Sequence, residues 1–199
     1  MIFTKIMEIF EWIMHFVYLN VLFVAGTLIG GVVLGFFPAC YAAISVSHRL
    51  VTEPGFGITK AFTRAYKQNF WKSLRTGYLL FLVVLIAVSN FLFWRQLNQM
   101  FISWLWFSIL ISTTLGSMLI FPVTIDNDLT VKEVGRLFFY SLSQLHLYMV
   151  LILGLGVIYI ATLLMPGIFI FFAGSLSLTW VMFTSYLFVR KIQKVRAQK

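Results

Sequence analysis

The stretch Phe36–Ser73, FFPACYAAISVSHRLVTEPGFGITKAFTRAYKQNFWKS, decides how this chain is arranged. It opens at the end of a long apolar run, where Phe37-Pro38 reads as a helix end because proline lacks the N–H a helix interior needs. Glu53-Pro54-Gly55-Phe56-Gly57 then gives a strong turn signal. Beyond it, Ile58, Phe62, Tyr66 and Phe70 recur every four residues and line one face of a helix. Lys60, Arg64 and Lys67 fall on its other faces. A basic helix with an aromatic stripe suits the anionic cytoplasmic leaflet of a bilayer, at about 1 kcal/mol for each Lys or Arg near that surface. Trp71 sits where an interfacial anchor is expected. The same helix equally suits docking of a partner, since both uses draw on one amphipathic face.

Outward from this stretch, the chain is too apolar for a water-soluble domain. Of 199 residues, 61% are hydrophobic and 11% charged, where roughly 25% charged is usual. Residues 12–48, 76–94, 96–125 and 137–189 contain no Asp, Glu, Lys or Arg, and a spanning helix needs only about 20 apolar residues. The expectation is an all-α, polytopic membrane protein of one domain, with about five transmembrane helices plus amphipathic cytoplasmic helices. Residues 2–13 carry Ile2, Phe3, Ile6, Ile9, Phe10 and Ile13 at helical spacing and lead into the first span. The spans are expected at 12–37, 74–93, 103–122, 144–164 and 168–189. The last two come from dividing an uncharged run about 80 Å long as a helix at Met165-Pro166-Gly167. Pro122, after Phe121, reads like Pro38 as a span end. Gly26-xxx-Gly30 and Gly31-xxx-Gly35 allow close helix packing, within one chain or in a homo-oligomer.

Charge sets the expected orientation. Loops 47–75 and 124–143 and the tail 190–199 hold thirteen of the fifteen Lys/Arg, leaving Lys5 and Arg95 outside them. By the positive-inside rule this places the amino terminus out and the carboxyl terminus in. The net charge of +9 is then a topology signal, and no nucleic-acid partner is expected. An internal echo also appears. Each long loop follows a Phe-Pro pair and carries Lys-xxx-Arg with an aromatic just beyond (Lys60, Arg64, Tyr66; Lys132, Arg136, Phe138), the pattern of a parallel repeat.

The sequence carries little chemistry. The six carboxylates, Glu8, Glu11, Glu53, Asp126, Asp128 and Glu133, all lie outside the expected spans, which argues against proton coupling through an intramembrane acid. His15, His48 and His146 are scattered and Cys40 is the sole cysteine, so no metal site, disulfide or nucleophile is expected. Asp128 or Thr130 suits the N-cap of a helix beginning near Val131 better than a cation site. No phosphate-binding loop or serine elbow is present. The expectation is a non-enzyme without cofactor or metal. Two alternatives stay open, a membrane sensor or assembly factor and an autonomous small-solute transporter or channel; a pore would have to be lined by Asn20, Asn90, Ser112, Thr113, Thr114, Ser117 and Thr162, which is thin material.

Gly35-Phe36-Phe37-Pro38-Ala39, followed by Ala61-Phe62-x-x-Ala65-Tyr66-Lys67-x-Asn69-Phe70-Trp71-Lys72-Ser73, resembles the YesL-like family of small Gram-positive bacterial membrane proteins. The resemblance is strongest over 20–90; Cys40 stands where a Thr-like residue is commoner, and the 51–57 segment is short. It implies a five- or six-span protein of a bacterial plasma membrane. Family members are typically encoded beside carbohydrate ABC importers, which implies an accessory role in oligosaccharide uptake with permease or ATPase subunits as partners. The family has no established activity and no defined functional residues. The residues expected to meet the membrane surface or a partner are therefore Lys60, Arg64, Tyr66, Lys67, Trp71, Lys132 and Arg136.

Overall fold

In a computed structural model of the chain, the described residues are 2–52, 55–127, 129, 131–164 and 172–197, with the side chains of 2–6, 8, 9, 131 and 191–197 left aside. They form eight helices: α1 (Ile2–Ile29), α2 (Val32–Thr52), α3 (Ile58–Gln68), α4 (Phe70–Gln96), α5 (Met100–Asp126), α6 (Val131–Leu142), α7 (Leu145–Leu164) and α8 (Ala173–Ala197). Five helices are long and apolar enough to cross a membrane: Phe10–Ile29 within α1, then α2, α4, α5 and α7. The protein is an all-helical, multi-pass membrane protein.

The count of five equals the sequence expectation, but the five are not the same ones: the expected first span supplies two of them, and the expected 168–189 span is not among the five found in the described residues. The run 12–37 is not one span. Gly31 adopts φ +68°, a left-handed conformation that only glycine enters cheaply, and it divides the run into α1 and α2. The two helices fold back on each other as a hairpin. Gly30 and Gly35 meet across the turn, and Gly26 lies beside Ala39 and the Phe62 ring. The Gly-xxx-Gly pairs are therefore used within the chain: Gly26, Gly30 and Gly35 pack, while Gly31 makes the turn. A hairpin also brings the start of α1 to the same end as Thr52, whereas the single-span reading set the amino terminus opposite the segment after residue 47.

Pro38 and Pro122 do not end helices either. Pro38 lies inside α2 and Pro122 inside α5. Each removes one backbone hydrogen bond, a loss that spanning helices absorb when neighbouring groups surround the break. Both prolines are indeed buried, within the enclosed runs Pro38–Ile44 and Leu119–Ile125. Much of each expected loop is accordingly helix, since α2 runs on to Thr52, α4 starts at Phe70 and α5 reaches Asp126. The expected turn at Pro166 and Gly167 lies outside the described residues, as does the start of the 168–189 span; α8 begins at Ala173.

The chain forms two compact units, 1–71 with 152–183, and 72–151 with 184–199. In the first, the buried core is Leu19, Ala39, Ala42, Ala43, Val46 and Phe62. The alanines of α2 let α1 and α3 come close on either side, which suits packing in a membrane, where fit rather than water exclusion holds helices together. Along α8, Thr179 Oγ1 lies 2.9 Å from Ser47 Oγ, and Gly154 of α7 admits the Trp180 ring.

In the second unit α4 and α5 form another hairpin. Lys72 Nζ donates to Ile125 O at 2.9 Å at one end, and Phe91 meets Phe107 at 5.5 Å near the other. The lysine supplies a donor and a positive charge to the carbonyl end of α5. Helix α6 then folds back along α5, seating Phe138, Ser141 and the Tyr148 hydroxyl against Gly116. The Ser141 and Tyr148 hydroxyls are 3.0 Å apart.

Candidate partner-docking surface

Helix α3 does not hang beyond α2 as a separate surface helix. It runs back beside the α1–α2 hairpin. Tyr18 Oη and Thr59 Oγ1 are 2.7 Å apart at its start, and Tyr66 Oη donates to Gly26 O at 2.9 Å one turn before its end. Both partners lie within the candidate span Phe10–Ile29. The aromatic stripe predicted from the four-residue spacing faces inward. Phe62 is only 5% exposed, and the rings of Phe62, Tyr66 and Phe70 follow one another at 6.1 and 5.5 Å. Burial pushes the Tyr66 hydroxyl's pKa above its ordinary value, so it remains a protonated donor to Gly26.

The seven residues expected at the surface therefore separate. Tyr66 belongs to the core. Lys60, Arg64 and Lys67 are exposed along the outer face of α3, and Trp71 beyond it is 77% exposed. In the second unit Lys132 and Arg136 are exposed on α6, with Phe139 exposed beside them. Helix α3 has spent its aromatic stripe on its own unit and keeps cations outside, whereas α6 seats Phe138 and Ser141 on its unit and leaves Phe139 and Leu142 exposed with its cations. The order of a Phe-Pro helix, a link and an amphipathic helix folded back on it occurs in both units.

Residues 16–91, which contain α3 and the α1 and α2 residues it packs on but not α6, match the family described as a protein of unknown function, DUF624. The chain is also 31% identical over 179 residues to the uncharacterized protein YteU of Bacillus subtilis (strain 168), covering 86% of this chain and 79% of that one. This chain belongs to the DUF624, or YesL-like, family. A second relative, the uncharacterized protein YesL of the same strain, is 26% identical over 170 residues, covering 83% and 80% of the two chains. No solved structure matches. The DUF624 match spans α1 from Phe16, all of α2 and α3, and α4 to Phe91, so the family signature and the α3 arrangement coincide.

Other expected sites are less substantial. Among the described residues no group of three His, Cys, Asp or Glu is placed to hold a metal. The capping role expected of Asp128 or Thr130 lies outside the described residues; Asn127 bonds back to Val123 O at 2.9 Å. The polar residues considered for a pore are mostly turned onto their own helices. Asn90 bonds Ile86 O, Thr113 and Thr114 bond Leu110 O, Ser117 bonds Thr114 O and Thr162 bonds Ile158 O. Such back-bonding satisfies the side chain and leaves less of it to line a path. Sequence reasoning missed two features. Lys72 looked like one more topology charge but holds the end of α5. The Gly30–Gly31 break was hidden because glycine at that spacing reads equally well as a packing motif.

Proposed function

We propose that this protein is a non-enzymatic accessory subunit of a carbohydrate (oligosaccharide) ABC import system in a bacterial plasma membrane, docking through the basic outer faces of α3 and α6. One observation carries the docking part. Lys60, Arg64 and Lys67 stand exposed on a helix packed level with Tyr18–Gly26 of an apolar, span-length segment. A Lys or Arg set in lipid at such a depth costs about 2.5–3.5 kcal/mol, so this face calls for something other than acyl chains against it. A partner subunit presenting carboxylates would cover it at least cost, by pairing each cation. The sugar-import setting comes from the family resemblance, and the lack of a phosphate-binding loop assigns ATP hydrolysis to another subunit.

The test is co-purification from native membranes in mild detergent. The tagged chain is expected to bring down permease or ATPase subunits in stoichiometric amount. The triple charge reversal K60E/R64E/K67E should lose them while still inserting and folding, because all three side chains are exposed. Full recovery of the partner with that variant would refute docking through α3. Should the protein purify alone and transport solute by itself in proteoliposomes, the same cationic face would be read as lining a water-filled path, and the protein as an autonomous transporter.

A further inference from the structure

The tip of the α4–α5 hairpin carries an open cavity of about 430 Å³ lined by Phe91, Arg95, Asn98, Met100, Ser103, Trp104 and Phe107. Its size falls within the usual range for a small-molecule site, roughly 300–1,000 Å³. Aromatic rings form a continuous wall: Phe91 lies 5.5 Å from Phe107, and Trp104 meets Phe107 edge-on at 5.7 Å. Arg95 is exposed at the cavity and makes no hydrogen bond or ion pair with any described side chain. No Asp or Glu occurs between residues 54 and 125, so nothing in the hairpin itself offers a counter-charge.

A second observation is independent of the first. Ser103 is only 8% exposed and lines the cavity, yet its hydroxyl bonds to no described group. Elsewhere on α5, Ser108, Thr113, Thr114, Ser117 and Thr124 all turn their hydroxyls onto carbonyls of the same helix. Ser103 thus presents a hydroxyl that no described group takes to the same cavity as the Arg95 guanidinium and the aromatic rings. This combination recognises an oxyanion carried on an apolar body.

We propose that this cavity binds the phosphate of an anionic phospholipid, with Arg95 and Ser103 holding the phosphate oxygens. The surroundings select a lipid over a free organic phosphate. Leu92, Phe93, Leu97, Met100 and Phe101 are exposed around the tip, an apolar collar against which acyl chains lie, while Trp94 and Trp104 stand where interfacial aromatics belong. A guanidinium grips phosphate through two parallel N–H bonds. The site lies at the opposite end of the hairpin from Lys72 and shares no residue with the α3 face on which the proposed docking rests.

The experiment uses the full chain in an uncharged detergent, titrated with phosphatidylglycerol and read by native mass spectrometry. The wild-type protein is expected to retain one lipid, and R95Q to bind it at least about tenfold more weakly, the loss that removing a charge-assisted bond brings. S103A should weaken binding less, and R75Q, which removes an exposed cation near the other end of α4, should leave it unchanged. Equal affinity in wild type and R95Q, or equal weakening in R75Q, would overturn the proposal. So would the absence of any one-lipid species in the wild-type protein, a result that needs no variant to fold. Release of the bound lipid by glycerol 3-phosphate at similar concentration would overturn the lipid assignment in favour of a soluble organic phosphate.

Discussion

Tyr66 joins two roles that the sequence presents as one. Its position four residues after Phe62 marks it as part of an aromatic stripe, and its neighbours Arg64 and Lys67 draw it toward the surface in any reading of composition. In the folded chain its hydroxyl closes α3 onto Gly26 O of α1. Tyr66→Phe should cost about 1 kcal/mol, the net worth of one hydrogen bond, seen as a lowered melting temperature in detergent with no loss of helix. The tyrosine pKa is raised in the fold, so its contribution is complete below the ordinary value of about 10 and fades as pH rises above it. The Y66F variant should show less of this alkaline sensitivity. Glycines give a sharper contrast. A methyl group at Gly35 meets the backbone of Gly26, Thr27 and Gly30, whereas one at Gly135 meets nothing. Gly35→Ala should destabilise by about 1–3 kcal/mol as overpacking does, and Gly135→Ala in α6 should stabilise by about 0.5–1 kcal/mol through helix propensity. Thermal melts of the two variants check the sign of each effect.

Among the elements, α3 shows both how far the sequence could be read and where it stopped. The spacing of Ile58, Phe62, Tyr66 and Phe70 was enough to give the helix, its polarity and which residues share a face. It could not say what the apolar face would meet, because lipid, a partner and the chain's own helices demand the same stripe. The alanines at 39, 42 and 43 were the available signal: small side chains at helical spacing leave room for a ring such as Phe62. Proline misled for a related reason. Phe-Pro reads as a helix end in water, but inside a packed bundle the freed carbonyl is tolerated, and α2 and α5 pass straight through Pro38 and Pro122. Phe62→Ala should therefore cost about 3–5 kcal/mol, while Trp71→Ala, at a fully outward position, should change stability by no more than about 0.5 kcal/mol. Denaturation of the two variants in detergent separates a core aromatic from a surface one.

For the whole molecule, composition and the length of the uncharged runs were sufficient for an all-helical, multi-pass protein, since unbroken apolar runs this long fit helices, which satisfy their own polar backbone within lipid. The path of the chain was not legible to the same degree. One positive-φ glycine turned a single span into a hairpin and moved the amino terminus to the end shared with Thr52. Residues that pack and residues that reach outward were also mixed within one expected docking set, because burial is a property of the assembled units. What emerges is a chain whose helix α3 is anchored by its own aromatics and leaves Lys60, Arg64 and Lys67 exposed, the face proposed to meet a partner. The most direct measurement is the rate at which a membrane-impermeant maleimide labels single cysteines placed at 60, 64 and 67, in native membranes and in purified protein. The native Cys40, buried in α2, serves as the internal control and should stay unlabelled in both. The account predicts fast labelling at all three positions after purification and strong protection in the native membrane, where the partner covers them. Equal rates in both settings, or labelling of Cys40 as fast as position 60, would contradict it.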